Sequence, residues 1–187
     1  MKHSEVRNRI IETASFLFYR NGYNLTGINE IISEAGIAKA TLYSHFKSKE
    51  DICLAYLRFK NDTFLSDIEK FCRSRQKGRN QLLAIFDFLL LFFKDRDFNG
   101  CWCIRTVSEI PKDDHKIRDE IQEQKTSLIE LIGKLLEDNV QEKSRKEIDL
   151  LARQIYLLYE SAVSESHLHQ ENWPIKSAKQ LCDQILN

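Results

Sequence analysis

The side chains in this sequence with the clearest potential for redox or metal chemistry are two cysteines separated by a single residue. Cys101 and Cys103 lie at positions i and i+2, and in a helix such residues point about 200° apart. No histidine or acidic group with ligand spacing accompanies them, and Arg105 is only a weak electropositive neighbour for a reactive thiol. Buried packing is the favoured interpretation, and a redox or metal-sensing role is the alternative.

A histidine-rich segment near the C-terminus is the second candidate for chemistry. His167 and His169 again lie at i and i+2, whereas Glu165 and His169 lie at i and i+4 and share a helix face. An exposed polar pair is preferred over a metal site. The sequence contains no glycine-rich phosphate loop, Ser–His–Asp arrangement or paired catalytic carboxylates. It therefore predicts no metal, no cofactor and no enzymatic activity.

Composition indicates one helical chain with an ordinary core. The 187 residues are 42% hydrophobic and 30% charged, with only six glycines and two prolines, which disfavours the many tight turns of sandwiches and barrels. The fold class predicted is all-α, with about nine helices. The net charge is zero, but residues 1–50 contain seven Lys/Arg and five Asp/Glu, a net +2.

The same composition bears on the compartment. Five cysteines, an odd number without regular spacing, argue against a disulfide framework and for a reducing cytoplasm. The N-terminal residues include no apolar signal-peptide core. The most apolar run, Leu82 to Phe93, contains Asp87 and is shorter than the roughly 20 residues that a membrane span needs. We expect a cytoplasmic protein without a membrane segment.

Three patterns at helical spacing occupy the N-terminal part of the chain. The first ends at Asn21-Gly22. A short second helix, with Thr26 as its expected N-cap, ends near Gly36, and a third begins at Lys39. Two short helices joined by a tight glycine turn are typical of a helix-turn-helix, for which the first helix supplies the apolar platform.

A family resemblance covers residues 7–57. It is carried by Ile10-Ile11-Glu12-Thr13-Ala14, Phe18, Asn21-Gly22-Tyr23, Thr26, Ile31, Ala35-Gly36-Ile37 and Thr41-Leu42-Tyr43-Ser44-His45-Phe46-Lys47-Ser48-Lys49-Glu50. In these residues the chain resembles the tetracycline-repressor (TetR) family of bacterial regulators, without a gap. The C-terminal two-thirds resembles the family only in helix order, with a Gly100-Cys101 and Glu109 arrangement similar to that of many members.

The resemblance implies a protein that binds double-stranded DNA with its third helix in the major groove. Lysine suits guanine, asparagine suits adenine, and the methyl groups of alanine and threonine suit thymine. Ala38, where the family often has serine, lacks a side-chain cap. The base-contacting residues implied are Asn29, Lys39, Ala40 and Thr41. The residues expected at phosphates are Thr26, through its hydroxyl or backbone N–H, with Tyr43, His45 and Lys49.

The C-terminal helices are expected to form the dimer and the effector site. We expect a homodimer through an intermolecular four-helix bundle of the last two helices. Its predicted apolar contacts are Leu151, Ile155, Leu158, Ala162, Ala178, Leu181 and Ile185. The resemblance also implies a cavity for a small effector, although aromatic residues can equally fill a core. The aromatic candidates for that cavity are Phe59, Phe64, Phe86, Phe92, Phe93 and Trp102.

Together these observations predict a transcriptional regulator, a repressor released from a palindromic operator by a small, mostly apolar effector. Residues 1–47 would form the DNA-binding domain and residues 48–187 the effector-binding and dimerisation domain, with 48–72 as the connecting helix. Two alternatives stay open at this point. A protein of this fold can act through protein partners without a small ligand, or the C-terminal bundle can be a small helical enzyme fused to a helix-turn-helix.

Overall fold

The computed structural model describes residues 3–140 and 143–186, and the regular structure in this part of the chain is helical throughout. Its helices are α1 (His3–Asn21), α2 (Ile28–Glu34), α3 (Lys39–His45), α4 (Lys49–Arg73), α5 (Arg79–Phe93), α6 (Trp102–Glu109), α7 (His115–Asn139), α8 (Arg145–His169) and α9 (Trp173–Ile185). The predicted all-α fold with about nine helices is confirmed.

The chain divides into two compact units. The first runs through Asp62 and includes Trp102–Gln124, and the second comprises Thr63–Cys101 and the chain from Lys125 onward. The predicted functional boundary between residues 47 and 48 is a different division and stays a prediction. In the compact units, the first part of α4, α6 and the first part of α7 all group with the N-terminal helices.

The core of the first unit is built on α1. Ile10, Ala14 and Phe18 follow one another at four-residue spacing, so they share one face of α1, and all three are buried. Ile31 of α2 and Leu42 of α3 are fully buried as well. Helices of seven residues are too short to be stable alone. The predicted role of α1 as their apolar platform is thus consistent with the packing of α1 on α2 and of α2 on α3.

Glycine ends the first two helices at the predicted positions. Gly22 follows α1 with φ = 96°, and Gly36 lies between α2 and α3 with φ = 60°. Residues with a Cβ rarely adopt such angles. The next helix, α4, is capped by Ser48, whose Oγ accepts a 3.0 Å hydrogen bond from the backbone N–H of Asp51. α4 then continues through both units.

A buried polar network joins α4, α6 and α7 within the first unit. Arg58 Nε donates a 2.8 Å hydrogen bond to Glu120 Oε2. The other carboxylate oxygen of Glu120 accepts 2.8 Å from Gln124 Nε2, and Gln124 Oε1 lies 3.5 Å from Cys103 Sγ. Glu120 and Gln124 are less than a tenth exposed. Both buried side chains of this network therefore have hydrogen-bond partners, as burial requires, and the more exposed Arg58 reaches Glu120 from the surface.

The second unit has its own core between α5, α8 and α9. Phe86 and Leu89 of α5, Ile155 of α8 and Ile175 of α9 have no exposed surface. Pro174 stands in the first turn of α9, where its missing N–H costs no helix hydrogen bond. α5 is the apolar segment considered above as a possible span. No helix among the described residues is both long enough and apolar enough to cross a membrane.

Candidate nucleic-acid interface

Helix α3 exposes most of the side chains predicted to contact bases. Lys39 and Ala40 are exposed at its first turn, and Thr41 is half-buried. Tyr43 is 46% exposed, whereas Leu42 is completely buried. Leu42 therefore anchors α3 in the core while its neighbours face outward. This is the arrangement that an α-helix needs to offer its N-terminal side chains to a DNA groove.

The N-terminus of α3 has the weak cap expected from its sequence. Ala38 is the N-cap, with extended backbone angles and no side-chain hydrogen bond. On the preceding helix, Asn29 is exposed. It lies on α2 within the same unit, so the structure leaves Asn29 available for the predicted contact.

Thr26 does not occupy the position predicted for it. The N-cap of α2 is Gly27, and the Glu30 side chain accepts a hydrogen bond from the Gly27 N–H at 3.3 Å. Thr26 is fully buried, and its hydroxyl donates a 2.8 Å hydrogen bond to the Gly22 carbonyl oxygen. The prediction of Thr26 as the N-cap of α2 is therefore wrong, whereas its phosphate contact, through the hydroxyl or the backbone N–H, stays a prediction. The hydroxyl stabilises the turn after α1.

Lys49 is held against the protein surface at the start of α4. Its Nζ lies 4.5 Å from the centroid of the Tyr23 ring and donates a 3.4 Å hydrogen bond to the Asn24 carbonyl oxygen. Burial lowers the pKa of Lys49 from its ordinary value. The ammonium is positioned by a cation–π contact, which fixes a positive charge beside the turn that precedes α2.

His45, the last residue of α3, is another residue predicted to contact phosphate. Its ring centroid lies 4.0 Å from that of His3. Burial lowers the pKa of His45 from its ordinary value of about 6.5, and the nearby charges of His3 and Arg7 lower it further. Its Nδ1 is buried without a hydrogen-bond partner among the described residues. At neutral pH His45 can therefore offer a phosphate a hydrogen bond but no charge.

A contact that the sequence did not predict ties α6 to the turn between α1 and α2. The backbone N–H of Asn24 donates a 2.7 Å hydrogen bond to Glu109 Oε2. Arg105 Nη2 donates a 3.2 Å hydrogen bond to the Arg20 carbonyl oxygen. The resemblance had pointed to Glu109 without giving its partner, because the two residues of the contact are far apart in sequence.

Comparisons with known proteins match both parts of this architecture. Residues 10–56 match the family model described as bacterial regulatory proteins, tetR family. Residues 78–182 match the model described as tetracyclin repressor-like, C-terminal domain. The chain belongs to the TetR family. Members of this family are bacterial transcriptional regulators.

Named relatives of this TetR-family chain are regulators as well. It is 34% identical over 93 residues to the HTH-type transcriptional activator FasR of Mycolicibacterium smegmatis, a match that covers 48% of the chain and 42% of FasR. It is 27% identical over 150 residues to the fatty acid metabolism regulator protein of Bacillus subtilis, covering 79% of the chain and 75% of that protein. The first match thus spans less than half of the relative's length.

A solved structure shares the fold over nearly the whole chain. The crystal structure of SCO4454, a TetR-family transcriptional regulator from Streptomyces coelicolor, superposes with a TM-score of 0.87 at 23% identity. The match covers 99% of this chain and 90% of SCO4454. At that identity the likeness concerns the fold alone.

The six aromatic residues predicted for an effector cavity are divided between the two units of this TetR-family chain, and the cavity itself stays a prediction. Phe59, which is 40% exposed, and Trp102 belong to the first unit. In the second unit, Phe64 and Phe86 each lie 6.3 Å from Tyr159, measured between ring centroids. Phe92 and Phe93 of α5 both contact Phe98 instead, at 5.6 and 5.3 Å. Tyr159 and Phe98 were not predicted.

The residues predicted for the dimer interface fall into two groups. Leu181 and Ile185 of α9 are 48% and 37% exposed, and Leu158 is half-buried. The other four predictions are wrong as surface contacts, because the side chains are less than a tenth exposed within the single chain. These four are Leu151, Ile155, Ala162 and Ala178.

A different face of α8 is apolar and exposed. Leu150, Leu157 and Leu168 are 58%, 64% and 71% exposed. Ser161 and Ser164 are exposed between them. At 100° per residue all five lie within about 40° of one line along the helix. We call these five residues the α8 leucine stripe.

Proposed function

We propose that this chain is a transcriptional repressor that binds a palindromic operator in double-stranded DNA as a homodimer and is released by a small, mostly apolar effector. The observation that carries the proposal is the exposed face of α3. Lys39, Ala40 and Tyr43 face outward from a helix that Leu42 anchors in the core. In a TetR-family chain that face is the natural DNA-reading surface. Its five cysteines, present as thiols, support a cytoplasmic location.

A dimer follows from the size of the DNA-reading element. α3 has seven residues and can contact only a few base pairs, so affinity and specificity require two copies at fixed spacing. The α8 leucine stripe supports a second copy as its partner. Large exposed leucines in a row are unusual on a monomer surface, and the serines between them allow two helices to approach closely. Leu181 and Ile185 of α9 are exposed apolar side chains as well.

Side chains of the second unit support the proposal that the effector is apolar. Phe64, Phe71 and Phe88 are partly buried rather than fully packed, and they adjoin the core. Ligand sites are mostly lined by such apolar and aromatic side chains. The Bacillus subtilis relative is named as a regulator of fatty acid metabolism. Fatty acids are therefore the first compounds to test as effectors.

Release of DNA requires that the effector prefer the conformation that does not bind DNA. α4 runs from the DNA-binding helices into the second unit and can transmit such a preference. α6 offers a second connection, since Glu109 at its end is hydrogen-bonded to Asn24. Displacement of either helix would move the two copies of α3 out of register with successive major grooves.

Fluorescence anisotropy tests the proposal. Purified protein is titrated onto labelled DNA from upstream of its own gene and onto a random duplex of equal length, at two salt concentrations. We expect tight binding to the upstream DNA that survives the higher salt, and weakening on addition of fatty acids. Equal binding to both duplexes that disappears at higher salt would refute the operator, because such binding is phosphate contact alone.

The sign of regulation needs its own experiment, since FasR is named as an activator. A reporter fused to the upstream DNA is measured with and without the gene for this chain. Repression predicts higher transcription without the protein. Lower transcription without it would identify an activator.

A further inference from the structure

Cys101 has reactive neighbours that the sequence did not reveal. In the second unit, Lys125 Nζ lies 3.1 Å from Cys101 Sγ and 2.7 Å from both carboxylate oxygens of Glu160. The side chains of Lys125 and Glu160 are only 18% and 16% exposed. A partly buried ammonium beside sulfur favours the thiolate, which is the nucleophilic form. Lys125 is thus the electropositive neighbour for which Arg105 was a weak sequence candidate.

Cys101 also differs from the other cysteines in its surroundings. It is partly exposed, whereas Cys53, Cys72, Cys103 and Cys182 are buried. Burial raises the pKa of the Cys72 thiol to about 12, and likewise that of Cys182. Those thiols stay protonated at neutral pH and act as apolar core residues. The chain therefore contains its own unreactive control cysteines.

The imidazole of His167, which lies beside Gly100, has a buried polar atom without a hydrogen-bond partner among the described residues. The His167 imidazole packs on Gly100, where an added Cβ would lie 3.1 Å from His167 Cδ2. His167 Nδ1 is buried and makes no hydrogen bond to the described residues. A buried polar atom without a partner requires a physical explanation. A carbonyl oxygen of a bound molecule would supply one. The Phe98 ring lies 6.1 Å from the His167 ring, measured between centroids, so an apolar side chain borders the imidazole.

We propose that Cys101 captures a small apolar α,β-unsaturated carbonyl compound covalently, with Lys125 stabilising the thiolate and His167 Nδ1 donating to the carbonyl oxygen. The inference rests on the proposed function, because the captured compound would be an effector. Cys101 directly precedes Trp102, the first residue of α6, and the far end of α6 holds Asn24 through Glu109. An adduct at Cys101 therefore acts on the helix that contacts the DNA-binding turn.

The reaction is an addition, and its atoms and electrons balance within the site. The thiol proton passes to Glu160, which is hydrogen-bonded to Cys101. Burial, and then Cys101 itself, raise the pKa of Glu160, which suits it to accept a proton. The sulfur electron pair forms a bond to the β-carbon, and the π electrons move onto the carbonyl oxygen as an enolate. Glu160 then protonates the α-carbon. No oxidant, reductant or leaving group is needed.

The test uses the full chain and 1-octen-3-one, an apolar vinyl ketone. Intact mass and peptide mapping are expected to show one adduct, on Cys101, while the four buried cysteines stay unmodified. The Cys101→Ser variant is expected to form no adduct under the same conditions. The proposal would be overturned if another cysteine were modified before Cys101, or if the Cys101→Ser variant were modified as fast as the native chain.

The pH dependence of the alkylation rate in the native chain tests the role of Lys125 without any substitution. For an ordinary thiol the alkylation rate falls about tenfold per pH unit below its pKa, because only the thiolate reacts. Between pH 8 and 6 we expect a smaller fall for Cys101 than for N-acetylcysteine. The titratable groups around it are Lys125, Glu160, Tyr159 and His167. An equal fall would overturn the assignment of Lys125.

A double variant that removes both charges of the Lys125–Glu160 ion pair tests the role of Lys125 directly. Lys125→Gln combined with Glu160→Gln removes the charges without leaving one buried alone, and we expect alkylation at pH 7 to slow by roughly tenfold. Lys125→Arg is expected to keep most of the native rate. Far-UV circular dichroism checks that each variant is folded. An unchanged rate in the folded double variant would contradict the proposal.

The regulatory consequence is measured by anisotropy on the same DNA before and after modification. We expect the adduct to weaken DNA binding at least tenfold in the native chain and to leave Cys101→Ser unaffected. Full modification of DNA-binding protein without a change in affinity would overturn the effector role. If unmodified protein bound no DNA, the proposed function would fail, while adduct mass and the pH profile would still test the capture chemistry.

Discussion

Asn24 and Glu109 are joined by two hydrogen bonds although 85 positions separate them. The Asn24 N–H donates to Glu109 Oε2 at 2.7 Å, and the Asn24 side-chain amide donates to the Glu109 carbonyl oxygen at 2.8 Å. The pair ties the end of α6 to the turn that leads into α2. A change in the position of α6 must therefore either move this turn or break both bonds.

Gly22 tests how closely that contact is packed. Gly22→Ala places a side chain at φ = 96° and brings its Cβ to 3.0 Å from Glu109 Cδ. Glu109 cannot withdraw without losing Asn24. The backbone cost alone is about 1–2 kcal/mol, so the free energy of unfolding in urea is expected to fall by at least that amount.

Gly133→Ala is the matched control. Gly133 lies inside α7, and an added Cβ meets nothing within 4 Å. Alanine in a helix interior is expected to raise the free energy of unfolding by about 0.5–1 kcal/mol. If the two variants changed stability in the same direction, the strain assigned to Gly22 would be wrong.

Thr26 tests whether its hydroxyl acts on DNA or on the fold. Thr26→Val keeps the shape but removes the hydrogen bond to the Gly22 carbonyl, leaving a buried acceptor unpaired. We expect a loss of about 1–3 kcal/mol in the free energy of unfolding, measured with urea. Thr26→Ser keeps the hydroxyl and should retain most of that stability. DNA affinity of the folded Thr26→Val protein is expected to match that of the native chain. A selective loss of affinity would instead assign the hydroxyl to a phosphate contact.

Helix positions in this chain are local properties, and the sequence predicts them well. The spacing of Ile10, Ala14 and Phe18 identifies a buried face, and Gly22 and Gly36 mark helix ends because positive φ angles favour glycine. The recognition helix follows from the same signals. Its exposed residues were therefore predictable. The cap at Gly27 was not, because glycine has no side chain to signal it.

Contacts between distant segments were beyond the sequence. The pairing of Glu109 with Asn24, and of Lys125 with Cys101, depends on how helices pack. Helical periodicity also identifies the face of a helix that is buried, but it does not indicate whether the same chain or a second copy covers that face. Ile155 lies on the strongest apolar face of α8, and that face is used within the chain. The exposed leucines of the stripe, such as Leu150 and Leu157, lie seven or more residues apart, and so wide a spacing does not by itself indicate a contact face.

Two substitutions on α3 separate sequence recognition from phosphate contact. Tyr43→Phe removes only the exposed hydroxyl, and we expect operator and random DNA to be weakened alike, by roughly tenfold. Lys39→Ala is expected to lower the ratio of operator to random affinity, since a base contact is worth about 1–3 kcal/mol. Anisotropy on both duplexes measures the two effects. If Lys39→Ala left that ratio unchanged, Lys39 would not read a base.

His45 predicts a pH dependence of stability. Its pKa is lowered in the folded chain, so the unfolded chain binds more protons between the folded pKa and about 6.5. The free energy of unfolding should therefore decrease as the pH falls below about 6.5 and stop decreasing below the folded pKa. Urea unfolding at a series of pH values measures this. His45→Gln is expected to show a smaller decrease. An equal decrease in both proteins would assign the effect to other groups.

Leu157 tests the α8 leucine stripe as the dimer interface. It is 64% exposed, and Ser161 lies one helical turn further along the same line. Leu157→Arg places a charge where two copies would meet, and burying an unpaired charge is costly. We expect analytical ultracentrifugation to show a monomer and anisotropy to show at least tenfold weaker operator binding. The fold should survive, because Leu157 packs little within its own chain.

The matched control is Leu25→Arg, at an exposed leucine outside the stripe. Leu25 is 82% exposed and lies in the turn before α2. The Leu25→Arg variant has the same substitution on a surface that is not assigned to dimerisation, so we expect it to keep the native oligomeric state. Ile155→Ala distinguishes the two faces of α8: it opens a cavity in the core and should lower the free energy of unfolding by about 2–5 kcal/mol. A dimer that survives Leu157→Arg but dissociates in folded Ile155→Ala would place the interface on the face that the sequence first indicated.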